Sequence, residues 1–196
     1  MLLSFIFSLA FIVFSFLVTK GVFIQIDHNI DQALPFILNS PAFFISRFLA
    51  YIYIPLIAII AALLYKFFLK KQINKALILL TTFSGVVVAE FILKPLFNIP
   101  CPQNYYSSFL TNQEVLGLLH ALQSIGFFET CYPSSHVASY VVFCGYLAYL
   151  TLKHIQEKRQ RLMFLSILYT IIVLVGPSRL YLHAHWFSDI IGGYLL

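Results

Sequence analysis

Charged side chains are scarce in this sequence. Asp, Glu, Lys and Arg together make up 10% of its 196 residues, whereas hydrophobic residues make up 61%. Soluble domains carry about 25% charged residues, so this composition excludes an ordinary water-soluble protein. Internal repeats and low-complexity segments are also missing, apart from the apolar runs themselves. The chain is therefore predicted to be an integral membrane protein.

Acidic residues are the scarcest charged class. The seven Asp and Glu residues are scattered along the chain and form no cluster in the sequence. This distribution argues against a metal site built from several carboxylates. Polar residues are also nearly missing from the middle of most apolar runs, which argues against a transporter with a substrate site at the bilayer midplane.

Long runs of uncharged, mostly apolar residues recur along the sequence. A helix needs about 20 residues to cross the hydrocarbon core of a bilayer. Five runs reach or approach that length with their flanks: residues 1–19, 48–65, 76–89, 137–152 and 162–178. A sixth begins near Phe187 and reaches the last residue, so we expect a truncated last helix and an incomplete C-terminus. The prediction is an all-α, six-transmembrane-helix bundle that forms one membrane-embedded domain, residues 1–196.

Two predicted connections contain most of the positive charge. Between the second and third runs lie Lys66, Lys70, Lys71 and Lys75, and between the fourth and fifth lie Lys153, Lys158, Arg159 and Arg161. By the positive-inside rule, both connections and both termini face the cytoplasm. The first run lacks a basic n-region and a small-residue cleavage site, so we interpret it as a retained helix. The net charge of +5 thus reflects topology and predicts no nucleic-acid partner.

The remaining polar residues gather at the predicted outer ends of helices. Lys94 follows Glu90 by four residues and therefore shares its helical face. The pair could be an interfacial ion pair, with Pro95 ending the helix and Lys94 extending to water. Alternatively Lys94 is functional, because charges within membrane segments are costly and mark functional sites.

A long outer connection, residues 98–132, follows Lys94. Its segment TNQEVLGLLHAL opens with Thr111 and Glu114 in capping-box spacing and continues with apolar residues at helical intervals. We expect a lid helix that lies on the membrane surface. The connection ends at Ser134, Ser135 and His136, where a serine could be an ordinary N-cap or part of an anion site at a helix N-terminus.

The stretch SRLYLHAHWFSD contains the densest group of polar residues. His185 and Asp189 are four residues apart at the predicted start of the sixth helix, so the carboxylate can hydrogen-bond one ring nitrogen. The other nitrogen is then available as a nucleophile or base. Arg179 would point away from His185 on one straight helix, so we expect a turn between them.

These residues follow the spacing of a known family. The chain resembles the type 2 phosphatidic acid phosphatase superfamily, with its motifs Lys, six residues, Arg-Pro; Pro-Ser-Gly-His; and Ser-Arg, five residues, His, three residues, Asp. The third motif matches fully at Ser178, Arg179, His185 and Asp189. The second has Ser135 in place of glycine, and the first has Lys94 and Pro102 but Cys101 in place of arginine.

The resemblance implies hydrolysis of a lipid phosphate or polyprenyl diphosphate at the outer face of a membrane, with a bacterial plasma membrane as the expected location. His185, oriented by Asp189, would form a phosphohistidine, and His136 would be the general acid and base. Phosphate oxygens would bind Lys94, Ser134, Arg179 and the Ser135 amide. We expect a lipid substrate and the bilayer as partners and no cofactor; the oligomeric state is not predicted.

Two other interpretations stay open. His183, His185 and Asp189 could be metal ligands, although on one helix the two histidines would stand about 200° apart. Without the motif-one arginine, the protein could instead bind lipid phosphates with weak turnover or none.

The three cysteines raise a related question. Cys101 could be a small apolar residue tolerated at the arginine position. It could also form a disulfide with Cys131, because both lie beside motifs that must converge on one phosphate. Cys144 is expected to be a free thiol within a helix.

The predicted topology can be tested with introduced cysteines. A Gln113→Cys variant should react with an impermeant thiol reagent added to intact cells, whereas Gln156→Cys should react only after lysis, because the positive-inside rule places these residues on opposite faces. The parent chain provides the background labelling. The reverse labelling pattern would contradict the topology.

Overall fold

A computed structural model describes residues 2–34, 40–51, 53–102 and 130–196 of the chain. These residues form α-helices and no strand; one isolated bridge pairs Pro100 with Thr130. The helices are α1 (Leu2–Thr19), α2 (Ile24–Ala33), α3 (Pro41–Tyr51), α4 (Tyr53–Leu69), α5 (Ile73–Phe97), α6 (Ser135–His154), α7 (Lys158–Tyr181) and α8 (Phe187–Leu195). The all-α prediction is confirmed, and the predicted lid helix lies outside the described residues.

Three of the described helices, α5, α6 and α7, are long and apolar enough to cross a membrane. A fourth span is possible if Phe5–Thr19 and Ile24–Ala33 count as one span bent by 85°, and Ala58–Leu69 is a shorter apolar helix. Large apolar side chains such as Phe5, Phe16 and Phe91 are exposed on the protein surface, which suits contact with lipid. The protein is thus a polytopic all-α membrane protein, while the count of six spans stays a prediction.

The N-terminal region contains a bend that the sequence analysis did not predict. The first run ends at Thr19 as expected, but the chain turns at Gly21 and continues as α2. Gly21 has φ +76°, in the left-handed region, and a Cβ there would lie 2.9 Å from the Ile24 side chain. Glycine is favoured because other residues adopt this conformation at a cost. The bend directs α2 toward α8, with which it makes contact.

One predicted helix boundary was wrong. Pro95 does not end α5, which continues to Phe97. The helix ends where Asn98 adopts φ +49° and its N–H donates to the Lys94 carbonyl. Proline removes one backbone donor, but neighbouring bonds can continue the helix past it.

α6 is the central helix of the bundle. It packs against α5, α7 and α8, and its Tyr140 hydroxyl donates to the Leu49 carbonyl of α3 at 2.7 Å. Leu79, Val137, Val175 and Ile190 meet in one buried cluster that joins four helices. This packing brings the end of α5 and the start of α6 beside the end of α7 and the start of α8. The polar motifs therefore lie at one end of the bundle.

Glycines allow α8 to approach α6 and the preceding loop closely. A Cβ on Gly192 would lie 2.5 Å from the Tyr132 ring, and one on Gly193 would lie 2.7 Å from the Ser134 carbonyl oxygen. Gly192 and Gly193 therefore permit close packing near the polar motifs. Small residues have this role in many membrane-helix interfaces.

A Gly193→Ala substitution should lower the thermal stability of the purified protein. The added Cβ would overlap the backbone oxygen of Ser134, and overpacking of this kind costs about 1–3 kcal/mol. Gly145→Ala is the matched control, because a Cβ at Gly145 meets nothing within 4 Å. Thermal unfolding in detergent provides the measurement. Equal melting temperatures for both variants would contradict this close approach of α8 to Ser134.

Candidate active site

The connection between α7 and α8 contains His185. α7 ends at Tyr181 and α8 begins at Phe187, so the predicted turn between Arg179 and His185 is confirmed. His183 has φ +49°, and the chain reverses its direction at this residue. The Ala184 N–H donates a hydrogen bond to the Arg179 carbonyl at 3.0 Å across this turn. α8 begins at Phe187, where the sixth run was predicted to begin, so His185 lies just before this helix and not at its start as predicted.

His185 and Asp189 form a buried pair. The Nδ1 atom of His185 lies 3.4 Å from Oδ2 of Asp189, and the side chains are 7% and 0% exposed. The same Oδ2 accepts a hydrogen bond from the Trp186 N–H at 2.9 Å. Asp189 therefore reaches back to the N-terminus of α8 in the manner of a capping residue. This capping contact brings the carboxylate to His185, so the pair does not depend on a shared helical face.

The surroundings of His185 favour its neutral form. Burial lowers the pKa of His185 well below its ordinary value, and the nearby positive charges of Lys94 and Arg179 lower it further. A hydrogen bond to the Cys131 backbone opposes this shift in the pKa. A neutral imidazole at neutral pH retains a lone pair, which a nucleophile or a base requires.

Arg179 lies in the last turn of α7 and is 1% exposed. Its Nη2 atom donates to the Ser46 carbonyl of α3 at 3.2 Å, and its Nε atom contacts the Ser178 hydroxyl at 3.4 Å. A buried guanidinium requires such partners because an uncompensated buried charge is costly. α3 therefore helps to orient the arginine of the third motif.

The second motif begins α6. Ser134 is fully buried at the N-cap position, yet its side chain makes no capping bond, and its Oγ has no hydrogen-bond partner among the described residues. The simple capping interpretation of the Ser134 hydroxyl was therefore wrong. Its backbone N–H instead donates to the Asp189 carbonyl at 3.0 Å and joins the second motif to the third. A buried hydroxyl at a helix N-terminus suits the binding of an anion.

Lys94, His136 and Ser135 complete the polar group. His136 interacts electrostatically with Arg179, His185 and Lys94, which places the three motifs close together. Lys94 also interacts with Glu90 and Asp189, so the predicted proximity of Lys94 and Glu90 is confirmed. Glu90 in turn accepts a hydrogen bond from the Ser135 side chain.

Cys101 and Cys131 form a disulfide, as one of the two hypotheses about Cys101 predicted. The bond joins residues 30 positions apart and connects the segment after α5 to the segment before α6. The Cys131 N–H donates to the Ile99 carbonyl at 2.9 Å beside it. The residue at the arginine position of the first motif is therefore a disulfide-bonded cysteine. Cys144 is a buried free thiol in α6, as expected.

The donor geometry does not support the metal hypothesis. Ligand atoms of Cys131, His185 and Asp189 lie within 4.8 Å of one another, but the Cys131 sulfur is bonded to Cys101 and cannot be a thiolate ligand. The Nδ1 atom of His183 lies 2.6 Å from Oδ1 of Asp31. His183 is therefore paired with Asp31, which differs from its possible role as a metal ligand.

Several residues near the site were missed by the sequence analysis. Asp27 and Asp31 of α2 bond to Ser188 and His183, and they are two of only seven acidic residues in the chain. Their spacing of four residues was a usable signal. Tyr132 is fully buried and hydrogen-bonds the Ser15 hydroxyl at 2.7 Å, and burial raises the pKa of Tyr132 to about 12. No local pattern predicted that contact.

Comparison with known proteins identifies the family of the chain and a similar fold. The sequence model described as PAP2 superfamily matches residues 75–196, more than half of the chain. The fold is similar to the crystal structure of the first transmembrane PAP2 type phosphatidylglycerolphosphate phosphatase from Bacillus subtilis, with a TM-score of 0.72 and 22% identity. That similarity covers 100% of this chain and 90% of the other chain. No curated protein gives a significant match.

Removal of the disulfide should destabilise the protein. A Cys101→Ser/Cys131→Ser double variant loses a crosslink between residues 30 positions apart, which contributes about 3–4 kcal/mol in the chain-entropy description. Thermal unfolding in detergent should show a lower melting temperature for this double variant. Cys144→Ala is the control, because it removes a thiol that is not crosslinked. Mass spectrometry without reductant should find the linked peptide, and free thiols at both positions would contradict the disulfide.

Proposed function

Because the chain belongs to the PAP2 superfamily, we propose that it is a membrane lipid phosphatase with His185 as its nucleophile. The observation that carries this proposal is the buried His185–Asp189 pair, with nitrogen and oxygen 3.4 Å apart, at the meeting point of the three motifs. Motif residues that are distant in sequence converge on one end of the bundle. That convergence is what a phosphoryl-transfer site needs, because catalysis there is mainly positioning and charge stabilisation.

The proposed first step is in-line attack on phosphorus by the ring nitrogen of His185 that faces away from Asp189. A phosphorus–nitrogen bond forms while the bond to the leaving oxygen breaks, and His136 protonates that oxygen. In the second step, His136 takes a proton from water and the resulting nucleophile attacks the phosphohistidine. Inorganic phosphate leaves and His185 is regenerated. Asp189 keeps the ring oriented and stabilises its positive charge.

The non-bridging phosphate oxygens would bind Lys94, Arg179, the Ser134 hydroxyl and the Ser135 amide. Two cations offset the negative charge of the phosphoryl group, and the positive end of the α6 dipole adds to them. The buried Ser134 Oγ, which has no partner among the described residues, supports this role because a phosphate oxygen would satisfy it.

The proposed substrate is an amphiphile with a phosphate or diphosphate headgroup. The site lies at the ends of apolar helices, so the headgroup can reach it from water while the tail stays in lipid. Positive charge at the opposite end supports an extracytoplasmic site, and the proposed location is a bacterial plasma membrane. Phosphatidylglycerolphosphate, phosphatidate and polyprenyl diphosphates all have the required headgroup. The chain would form a single domain.

A second candidate function is lipid-phosphate binding with weak turnover or none. Cys101 occupies the arginine position of the first motif, and its sulfur is committed to Cys131. The site therefore lacks the third cation of the family pattern. A loss of one charged contact to the transition state can reduce the rate by orders of magnitude without abolishing binding.

The purified protein should release phosphate from at least one lipid among phosphatidylglycerolphosphate, phosphatidate and undecaprenyl diphosphate, with or without a metal chelator. His185→Ala and His136→Ala should lose this activity because they remove the nucleophile and the proton donor. Asp189→Asn should reduce kcat by about 10⁴-fold, because the ring tautomer becomes wrong. Phosphate release can be measured in detergent micelles.

Three outcomes separate the candidate functions. Undiminished turnover in His185→Ala would contradict the mechanism, and loss of activity on chelation with recovery on zinc would favour a metal enzyme. Saturable lipid binding without turnover in the wild type would favour the binding protein. The exposed Asn29→Ala variant is a control for general effects of substitution.

A further inference from the structure

The connection that contains His185 is bonded to α2 on both sides. Before His185, the His183 Nδ1 atom lies 2.6 Å from Oδ1 of Asp31. After His185, the Ser188 N–H donates to Oδ1 of Asp27 at 2.9 Å, and the Ser188 hydroxyl donates to Oδ2 at 2.7 Å. α2 thus uses two carboxylates, one helical turn apart, to bond residues that flank the candidate nucleophile.

The Asp31 carboxylate pairs with His183, a residue with an unfavourable backbone conformation. His183 has φ +49°, which an ordinary side chain rarely adopts. The residue is mostly buried, and its ring pairs with Asp31 across 152 positions of sequence. Because this reversal sets the direction in which the chain reaches His185, loss of the pair would allow the connection to relax.

The Asp27 carboxylate bonds to Ser188 at the start of α8. Ser188 is the second residue of that helix, and its N–H is one of the donors that no helix carbonyl satisfies. Asp27 accepts that bond, while Asp189 accepts the bond from Trp186. Asp27 and Asp189 therefore both bond to the N-terminus of α8. Asp27 is also close enough to Asp189 to interact with it electrostatically.

We propose that Asp27 and Asp31 are positioning residues for His185, and that the bend between α1 and α2 places them there. This inference rests on the proposed function, since positioning has meaning only if His185 reacts. Neither carboxylate is assigned a contact with the phosphoryl group. They act through Ser188 and His183, which fix the two ends of the segment containing His185.

Kinetics of the purified full-length protein should separate positioning from substrate binding. Asp27→Ala and Asp31→Ala should lower kcat by roughly 10- to 100-fold, the order of loss expected from a misplacement of about 1 Å. The KM should change by less than about twofold, because Lys94, Ser134 and Arg179 are left in place. The probes are the same three lipids: phosphatidylglycerolphosphate, phosphatidate and undecaprenyl diphosphate.

Conservative variants and a matched control sharpen the test. Asp27→Asn and Asp31→Asn keep an acceptor oxygen, so they should recover most of the kcat that the alanine variants lose. Asn29→Ala is the control, because Asn29 lies on the same helix, is exposed, and accepts a hydrogen bond from Gln25 of that helix. It should leave kcat and KM at wild-type values.

Hydrogen exchange provides a readout that does not need activity. The amides of residues 182–189 should exchange faster in the alanine variants than in the wild type or in Asn29→Ala. If the wild type hydrolyses none of the lipids, the proposed function fails and this measurement still tests whether α2 holds the segment. Unchanged kcat and unchanged exchange in both alanine variants would overturn the inference. A loss of kcat explained by an equal loss of folded protein would also overturn it, because α2 would then only stabilise the fold.

Discussion

A polar group buried in a protein that lipid surrounds must find a partner inside the protein, and this constraint organises the molecule. An unpaired buried group costs several kcal/mol, and the Ser134 Oγ, which has no partner among the described residues, lies at the candidate site. The buried Arg179 is held by α3 and the buried Asp189 by the start of α8. Asp27 is satisfied by Ser188. The few charged residues of the chain therefore determine how its helix ends fit together.

The three motifs converge at one end of the bundle because α6 packs against its neighbours. Apolar side chains of α5, α6, α7 and α8 meet in one cluster, and their burial brings the ends of these helices together. The Ser134 N–H bond to the Asp189 carbonyl then fixes the second motif against the third. The disulfide of Cys101 fixes the first against the second. Catalytic geometry needs such redundancy, because a site held by one contact would be too loose for phosphoryl transfer.

Cys101 shows how a departure from a family pattern can have a structural meaning. In an apolar setting a cysteine usually packs as a small hydrophobic residue. Here it is bonded to Cys131, whose backbone also contacts the His185 ring. A position where the family pattern has an arginine therefore contributes a covalent crosslink beside the candidate nucleophile.

The sequence alone determined the class, the approximate position of most long helices and the motif residues, because apolar runs and short motifs are local patterns. It did not predict that α1 bends at Gly21 into α2, that Pro95 lies within α5, or that His185 precedes α8. Those features depend on single backbone conformations that no periodicity encodes. Only the tertiary structure showed that Asp27 and Asp31 bond to residues more than 150 positions away. Such contacts arise from the packing of whole helices, which the residues near either partner do not reveal.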